Sequence, residues 1–254
     1  MRPVLGIDVG ASGIKGGLVD LESGMLSGDR LRIPTPQPAT PAAIREAYQD
    51  MIQYFQYEGP VGVGFPAIIK QGKAMTAANI DESWVGVSVA EAFDLKGSNP
   101  IVVTNDADAA GVAEMHYGEG KGEMGLVIML TIGTGIGSAL FHRGQLIPNT
   151  ELGHLIWKKG IIAEQFCSSG ARERLKMGRA EWAKRFNAYL LHLERIFSPD
   201  LFILGGGESK RFDDFSVHLR TRARVVSARL LNNAGIIGAA VFAGMRADHG
   251  PVQP

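Results

Sequence analysis

The sequence predicts an α/β protein of two lobes, and three observations carry that expectation. A short apolar strand that runs into a tight glycine turn and straight back out occurs twice, at 4–17 and again at 130–138. Strands followed by helices come after each of these hairpins, the pattern of layered α/β folds. No stretch has the composition of a disordered linker, so the lobes are expected to meet at a cleft. The first lobe is expected to hold residues 1–106 with a returning C-terminal helix over 235–248, and the second 107–234.

Each element has its own signal. Over Val4–Gly10, Leu5, Ile7 and Val9 alternate with Gly6, Asp8 and Gly10, which is strand period. Asp8 thereby shares a face with the glycines at the mouth of the turn. Ile14–Leu21 reads as the returning strand and Met25–Ile33 as a third. Pro34, Pro36, Pro38 and Pro41 mark a loop, and Thr40-Pro41 suits the start of a helix over 42–57. Val61–Phe65 is a short strand, and Ile68 to Val87 reads as functional loop. Ile101–Thr104 is a β-branched strand with a helix after it, from about Ala107 to Tyr117. The second hairpin is Leu126–Thr131 with Ile136–His142, followed by Gln145–Ile147. Helical spacing returns over 170–177 and 180–197. A strand at Leu201–Leu204, a helix near 212–224, a strand at Arg224–Ala228 and a helix near 235–246 complete the chain.

Composition excludes several classes. Cys167 is the only cysteine of the 254 residues, so neither an intramolecular disulfide nor a multi-thiolate metal site can form. No apolar run reaches the roughly 20 residues of a membrane span, and the start Met1-Arg2-Pro3 has no signal-peptide character, so a cytoplasmic protein that engages no membrane is expected. Zero net charge argues against a nucleic-acid partner. The zero is unevenly made, because residues 158–229 hold 15 Lys/Arg against 8 Asp/Glu. Either these are solvated helix faces, or they form a basic wall for a long polyanion.

Four groups of residues carry chemistry. In the first, Asp8 stands beside Gly10, Ser12, Gly13 and Lys15, and its counterpart turn holds Thr131, Gly133, Thr134 and Gly135. A glycine turn lets backbone amides crowd against a bulky anion, and a carboxylate there can order Mg²⁺, directly or through water. A surface hairpin with turn glycines would look the same in isolation. In the second, Asn105-Asp106-Ala107-Asp108 sits where a buried strand gives way to a helix, a usual place for a reactive side chain, although a helix cap has the same spacing. Asp106 and Asp108 compete for the role of base, and Asp106 lies nearer the strand end. An aspartate of ordinary pKa, about 3.9, suffices, because a loose phosphoryl-transfer transition state asks for orientation and late proton acceptance. In the third, Glu151-Leu-Gly-His154 places a carboxylate and an imidazole where they can meet vicinal hydroxyls, or form half of a metal site. The fourth, Phe65-Pro66 with Thr76-Ala77-Ala78-Asn79 and Trp84, offers uncharged hydrogen-bonding groups beside an aromatic, which suits a sugar if Trp84 is not simply core. Gly205-Gly206-Gly207 is a third close-approach turn, or a glycine-capped helix.

Together these motifs resemble the ROK family of sugar kinases within the actin-like (hexokinase, Hsp70) ATPase superfamily, over nearly the whole chain. The resemblance implies a two-lobed actin-like, ribonuclease H-like sugar kinase fold with an inter-lobe active site. It implies Asp106 as catalytic base and sugar contacts from Asn79, Asn105, Glu151 and His154. It also implies a phosphate-donor site of Asp8, Gly10, Ser12, Gly13, Lys15, Thr131, Gly133, Thr134, Gly135, Gly205 and Gly206. Glu173, in Gly170-Ala171-Arg172-Glu173, is a weaker match to a further sugar-binding glutamate. Many ROK kinases carry a Cys-x-Cys-Gly-x-x-Gly-Cys zinc motif; here Cys167 stands alone, so no zinc site is expected and His154 is left for sugar. Where many relatives read Pro-Gly, this chain has Phe65-Pro66-Ala67.

The short, zinc-free form looks most like the polyphosphate glucokinase subgroup, on three stretches: Asp8 to Gly17, Thr76 to Gly86, and Glu173-Arg-Leu onward through Glu181-Trp-Ala-Lys-Arg185 to Asn187-Ala-Tyr-Leu190. That resemblance implies Mg²⁺-dependent phosphoryl transfer from inorganic polyphosphate, and ATP as a further donor, to the 6-hydroxyl of glucose, by a homodimer. Arg143, Lys158, Lys159, Arg172, Lys176 and Lys184 would then be candidates to track the chain. Two alternatives stay open: a strictly ATP-dependent hexokinase acting on glucose or mannose, and a non-catalytic sugar sensor. The sensor form is disfavoured by a phosphate hairpin that begins at residue 4, where such repressors carry a helix-turn-helix domain.

Overall fold

The computed structural model describes residues 2–77, 79–94, 99–157 and 160–249, so Ala78, Lys158 and Lys159 lie outside the described residues. The chain divides into two compact units, Met1–Ala113 with Asn233–Pro254, and Glu114–Asn232.

The first unit opens with β1 (Val4–Gly10) and β2 (Gly13–Asp20), an antiparallel hairpin that pairs Asp8 with Lys15 and Gly10 with Gly13. The single strand expected over 25–33 is two, β3 (Met25–Leu26) and β4 (Leu31–Ile33), both paired with β2. The Ser27 amide still donates to the Leu18 carbonyl at 2.7 Å, but Gly28 then turns at φ 111°, and β4 pairs with β2 in a shifted register. Helix α1 (Pro41–Phe55) begins as its sequence indicates, with the Thr40 hydroxyl accepting from the Ala43 amide and Pro41 in the first turn. After β5 (Val61–Phe65) the stretch expected as loop holds a small hairpin, β6 (Ile69–Lys70) and β7 (Lys73–Ala74), and a 3₁₀ turn at Glu82–Trp84. The short α2 (Val89–Phe93) then precedes β8 (Ile101–Asn105), which runs directly into α3 (Asp106–Tyr117).

These strands form a sheet in the order β3-β2-β1-β5-β8, with β1, β5 and β8 parallel. Leu5, Ile7, Val9, Val61, Val63 and Phe65 point to one face and pack with α1 and α2 into an apolar core. Phe65 and Trp84 belong to that core. Both are fully buried, their rings meet edge-on at 4.7 Å, and the Trp84 indole N–H donates to the Ala39 carbonyl at 2.9 Å. The aromatic that the sequence offered to a sugar is therefore a packing residue. Burial of its ring and satisfaction of its one donor explain why it sits there.

The second unit repeats the design. It contains β9 (Leu126–Ile132), β10 (Ile136–His142), β11 (Gln145–Ile147), α4 (Ala163–Cys167), α5 (Ser169–Arg174), α6 (Arg179–Phe197), β12 (Leu201–Gly206), α7 (Phe212–Ser216) and β13 (Arg224–Ser227). The sheet order β11-β10-β9-β12-β13 again joins an antiparallel meander to two parallel strands. Its core sets Ile128, Leu130, Phe202 and Leu204 against Trp182, Phe186 and Leu190 of α6. The helix expected over 212–224 stops at Ser216. The rest is strapped to α6 instead, where Asn187 accepts from the Arg220 amide and Glu194 from the amides of Arg222 and Ala223. Buried Glu114 closes the end of α3 by accepting from the Glu119 amide at 3.0 Å, and its other oxygen accepts from the Leu230 amide at 2.7 Å.

The last helix, α8 (Ala234–His249), returns to the first unit and covers the other face of its sheet. Gly6 and Gly62 make this possible. A Cβ on either would collide with the backbone carbonyl of Ile236 or Ala239, and one on Gly238 of α8 would collide with the Ala109 carbonyl of α3. Helix backbone thus rests on strand backbone with no side chain between. Among the described residues no helix is long and apolar enough to cross a membrane. Replacing Gly62 by Ala is expected to force α8 outward and cost about 1–3 kcal/mol, read as a lower denaturation midpoint with an unchanged slope.

Candidate active site

Asp8 and Asn105–Asp106 in the first unit and Thr131 in the second stand at the carboxyl ends of parallel strands, where α/β folds bind ligands. In the first unit these ends are the close of β1, the Phe65-Pro66-Ala67 segment after β5, and the junction of β8 with α3.

Asp8 makes an ion pair with Lys15 of the neighbouring strand, Nζ to Oδ2 at 2.8 Å, with the two side chains only 15% and 26% exposed. The first turn of α8 lies against the same carboxylate, since a Cβ on Gly235 would come within 2.7 Å of Asp8 Cγ. A helix amino end favours a negative group at that position. The turn itself is clamped from outside, by the Thr35 hydroxyl donating to the Gly10 carbonyl at 2.5 Å and by Arg32 Nη2 donating to the Ser12 carbonyl at 2.8 Å. Neither clamp was visible in sequence, because both depend on how the chain after β2 folds back.

Asn105 is the helix cap that its spacing allowed. Its Oδ1 accepts from the amides of Ala107 and Asp108 at 2.9 and 3.1 Å, and its Nδ2 donates to the Ala67 carbonyl at 3.1 Å. It is buried, so the cap fixes both the start of α3 and the loop after β5. Asp106 is then the first residue of α3, half-buried, with Oδ1 accepting from the Ala107 amide at 2.8 Å. Asp108 is 1% exposed. Gly64 lets the start of α3 approach β5, as a Cβ there would lie 3.5 Å from Asp106 Cα. Asn79 is exposed on the loop whose Thr76 hydroxyl accepts from the Ile68 amide.

In the second unit Thr131 lies across from Gly137 of β10 and Gly205 of β12, so neither cross-strand neighbour brings it a cation as Lys15 does for Asp8. The turn is braced from α4 and α5: Ser168 donates to the Thr134 carbonyl at 2.9 Å, the Gly170 amide to the Gly133 carbonyl at 3.2 Å, and Glu164 accepts from the Ile136 amide at 3.1 Å. Gly133 faces open space, whereas a Cβ on Gly135 would press on Glu164. Glu164, on a helix the sequence did not reveal, also approaches His154, Nε2 to Oε1 at 3.8 Å, while His154 Nδ1 stands 3.6 Å from Glu151 Oε2. Burial lifts the Glu151 carboxyl above its ordinary value, with His154 opposing and Glu164 adding to the rise.

Other expectations are placed differently. Gly205 and Gly206 continue β12, and Gly206 spends its missing side chain on the Ile132 backbone; Gly207 is the member that faces open space. Glu173 is exposed on α5, with Arg172 at 3.8 Å. Arg172 also stands 3.5 Å from buried Glu208, so it is largely engaged within the unit. Arg143, Lys176 and Lys184 are exposed. Cys167 is buried, its thiol donating to the Ala163 carbonyl at 3.3 Å, and burial raises its pKa. Among the described residues no group of three His, Cys, Asp or Glu is arranged to hold a metal. Asp8 alone is the donor set that Mg²⁺ commonly takes when substrate phosphates and water complete its shell.

Comparison with known proteins places the chain in a family. The sequence profile described as ROK family matches residues 4–180. The chain is 47% identical to the polyphosphate glucokinase of Mycobacterium tuberculosis (strain CDC 1551 / Oshkosh) over 241 residues, covering 94% of this chain and 91% of that protein. It is 28% identical to the glucokinase of Streptomyces coelicolor, covering 96% and 98%. Among solved structures, the inorganic polyphosphate/ATP-glucomannokinase from Arthrobacter sp. strain KM superposes with a TM-score of 0.93 at 45% identity, over 97% of this chain and 100% of that one.

Glu208 beneath α5 gives a pH-dependent expectation. Burial pushes its carboxyl up, but hydrogen bonds from Arg179 at 2.6 Å and Ser169 at 2.8 Å, with the charges of Arg179 and Arg172, hold it below its ordinary value of 4.5. A lowered folded-state value stabilises fully above that ordinary value and is lost as pH falls through the lowered one. Glu208→Gln is expected to reduce stability at pH 7 by about 1.5–3 kcal/mol and to flatten the acid limb, as measured by denaturant titration across pH.

Proposed function

Because this chain belongs to the ROK family, we propose that it transfers a phosphoryl group from inorganic polyphosphate, with ATP as a further donor, to the 6-hydroxyl of glucose. The observation that carries the reading is that Asp8 and the Asn105–Asp106 junction lie at the same end of the parallel strands β1, β5 and β8 of one sheet. An anion-holding turn and a carboxylate that can take a hydroxyl proton are the two parts that phosphoryl transfer needs. The 47% identity to polyphosphate glucokinases over 94% of the chain supports the choice of donor and acceptor.

In this reading Asp106 accepts the proton of the 6-hydroxyl as its oxygen bonds to the terminal phosphorus. The bridging P–O bond breaks, and its electron pair leaves with the shortened chain. Asp106 is assigned this role over Asp108 because Asp108 is buried in α3. Lys15 and the turn at Gly10–Gly13 hold the donor in the first unit, and Thr131, Gly133 and Thr134 do so in the second. Mg²⁺ carried with the phosphates, its shell reaching Asp8, would neutralise developing charge. Asn79, the second Nδ2 hydrogen of Asn105, Glu151 and His154 are assigned to sugar hydroxyls, with Glu173 as an outer contact. Identity of 45% to a glucomannokinase favours mannose as a second acceptor. A cytoplasmic homodimer completes the reading.

Parallel assays with polyphosphate or ATP as sole donor, in Mg²⁺, test it at once; no glucose 6-phosphate from polyphosphate would overturn the donor assignment. Asp106→Asn is expected to lower kcat by about 10²–10⁴-fold while glucose binding, measured by calorimetry, persists. Near-normal turnover would remove Asp106 as base. Since Glu151 must be ionised to accept a hydroxyl and its carboxyl titrates above its usual value, glucose KM should rise on acidification earlier than an ordinary carboxylate allows, and Glu151→Gln should abolish that rise.

A further inference from the structure

Arg32 stands beside the first phosphate turn with no role in the account above. The strand register brings it there, since Asp8 of β1 lies across from Lys15 of β2 and Lys15 lies across from Arg32 of β4. Directly opposed residues put their side chains on one face, so these three form a row over adjacent strands. Lys15 is paired with Asp8. Arg32 has no carboxylate within ion-pair distance among the described residues, so the row carries two cations against one anion.

Like charges directly opposite one another destabilise a sheet, and such a pair is best relieved by an anion that both can reach. The Arg32 side chain is exposed, but its guanidinium is tied to the turn. Its Nη2 donates to the Ser12 carbonyl at 2.8 Å, and it lies against the turn where a side chain on Gly13 would stand, since a Cβ there would be 2.7 Å from Nε and 2.9 Å from Cζ. The absence of a side chain at Gly13 therefore makes room for the Arg32 guanidinium. A fixed, planar fork with donors to spare is suited to phosphate oxygens.

We propose that Arg32 is a donor-binding residue, which holds a phosphate group of the polyanionic chain beside the one held by Lys15 and the Gly10–Gly13 turn. The proposal rests on the phosphotransferase reading above and adds a subsite to it.

The test compares wild type, Arg32→Gln, Arg32→Lys and Thr35→Val for inorganic polyphosphate binding by calorimetry at several salt concentrations, and for the KM of each substrate. Arg32→Gln should weaken polyphosphate binding and raise its KM about tenfold or more, flatten the salt dependence, and leave glucose KM within about twofold. Arg32→Lys, which keeps the charge without the fork, should fall between, and it reads the subsite if the glutamine variant folds poorly. Thr35→Val removes the other outside clamp on the turn without removing charge, so its salt dependence should match wild type. Arg32 would be a structural clamp only, and the proposal overturned, if Arg32→Gln bound polyphosphate as wild type does, or if Thr35→Val reproduced its salt dependence. A wild type that binds polyphosphate yet phosphorylates no glucose would count against the phosphotransferase reading and leave the Arg32 comparison intact.

Discussion

Contact between the backbone of α8 and the glycine-bearing face of the first sheet is the constraint on which the candidate residues of the first unit depend. Two glycines on adjacent strands, Gly6 and Gly62, let the helix settle directly on the sheet, and Gly238 lets α3 settle against the helix. The elements that carry Asp8 and Asp106 are thereby locked at backbone level. Side chains can change rotamer, but backbones in van der Waals contact have little freedom to shift. Asp8 and Asp106 stand on elements whose positions are set by that packing. Loops alone would position them less exactly.

The two glycine turns share a topology and differ in chemistry. The first combines a carboxylate, an ammonium, a helix amino end and an arginine, all within one sheet register. The second has an uncharged threonine across from glycine, and its shape is imposed by hydrogen bonds from the Ser168–Gly170 segment and Glu164. One turn is thus an electrostatic device and the other chiefly a backbone one. A repeated fold supplies the same scaffold twice, and the side chains around each copy decide what it can hold.

Much of this was legible in the sequence, and the reasons are physical. The strand period at Val4–Gly10, the Thr40-Pro41 helix start and the Asn105-Asp106 junction are local signals, and all three elements stand where those signals put them. Trp84 was ambiguous because composition does not say which way an indole points. The segment after Ser216 was over-read as helix because its fate is set by Asn187 and Glu194, some 30 residues earlier in the chain. Short α2 and α4 have too few residues to show a period. Arg32 was invisible because cross-strand register, which no window of sequence displays, is what aligns it with Lys15. The alternation of valine and glycine in Val61–Phe65 was readable as a strand, but the helix that needs Gly62 lies more than 170 residues away.

That distance bears on how the molecule is made. The first unit is completed by α8, with Glu114–Asn232 synthesised between its two parts. At roughly 5–20 residues per second, a ribosome takes on the order of ten seconds to pass through that insert, during which the bare glycine face of the nascent sheet has no lid. The second unit, contiguous in sequence, can mature first. The order of packing should therefore invert the order of synthesis, with the first unit reaching its native packing only after α8 has been made.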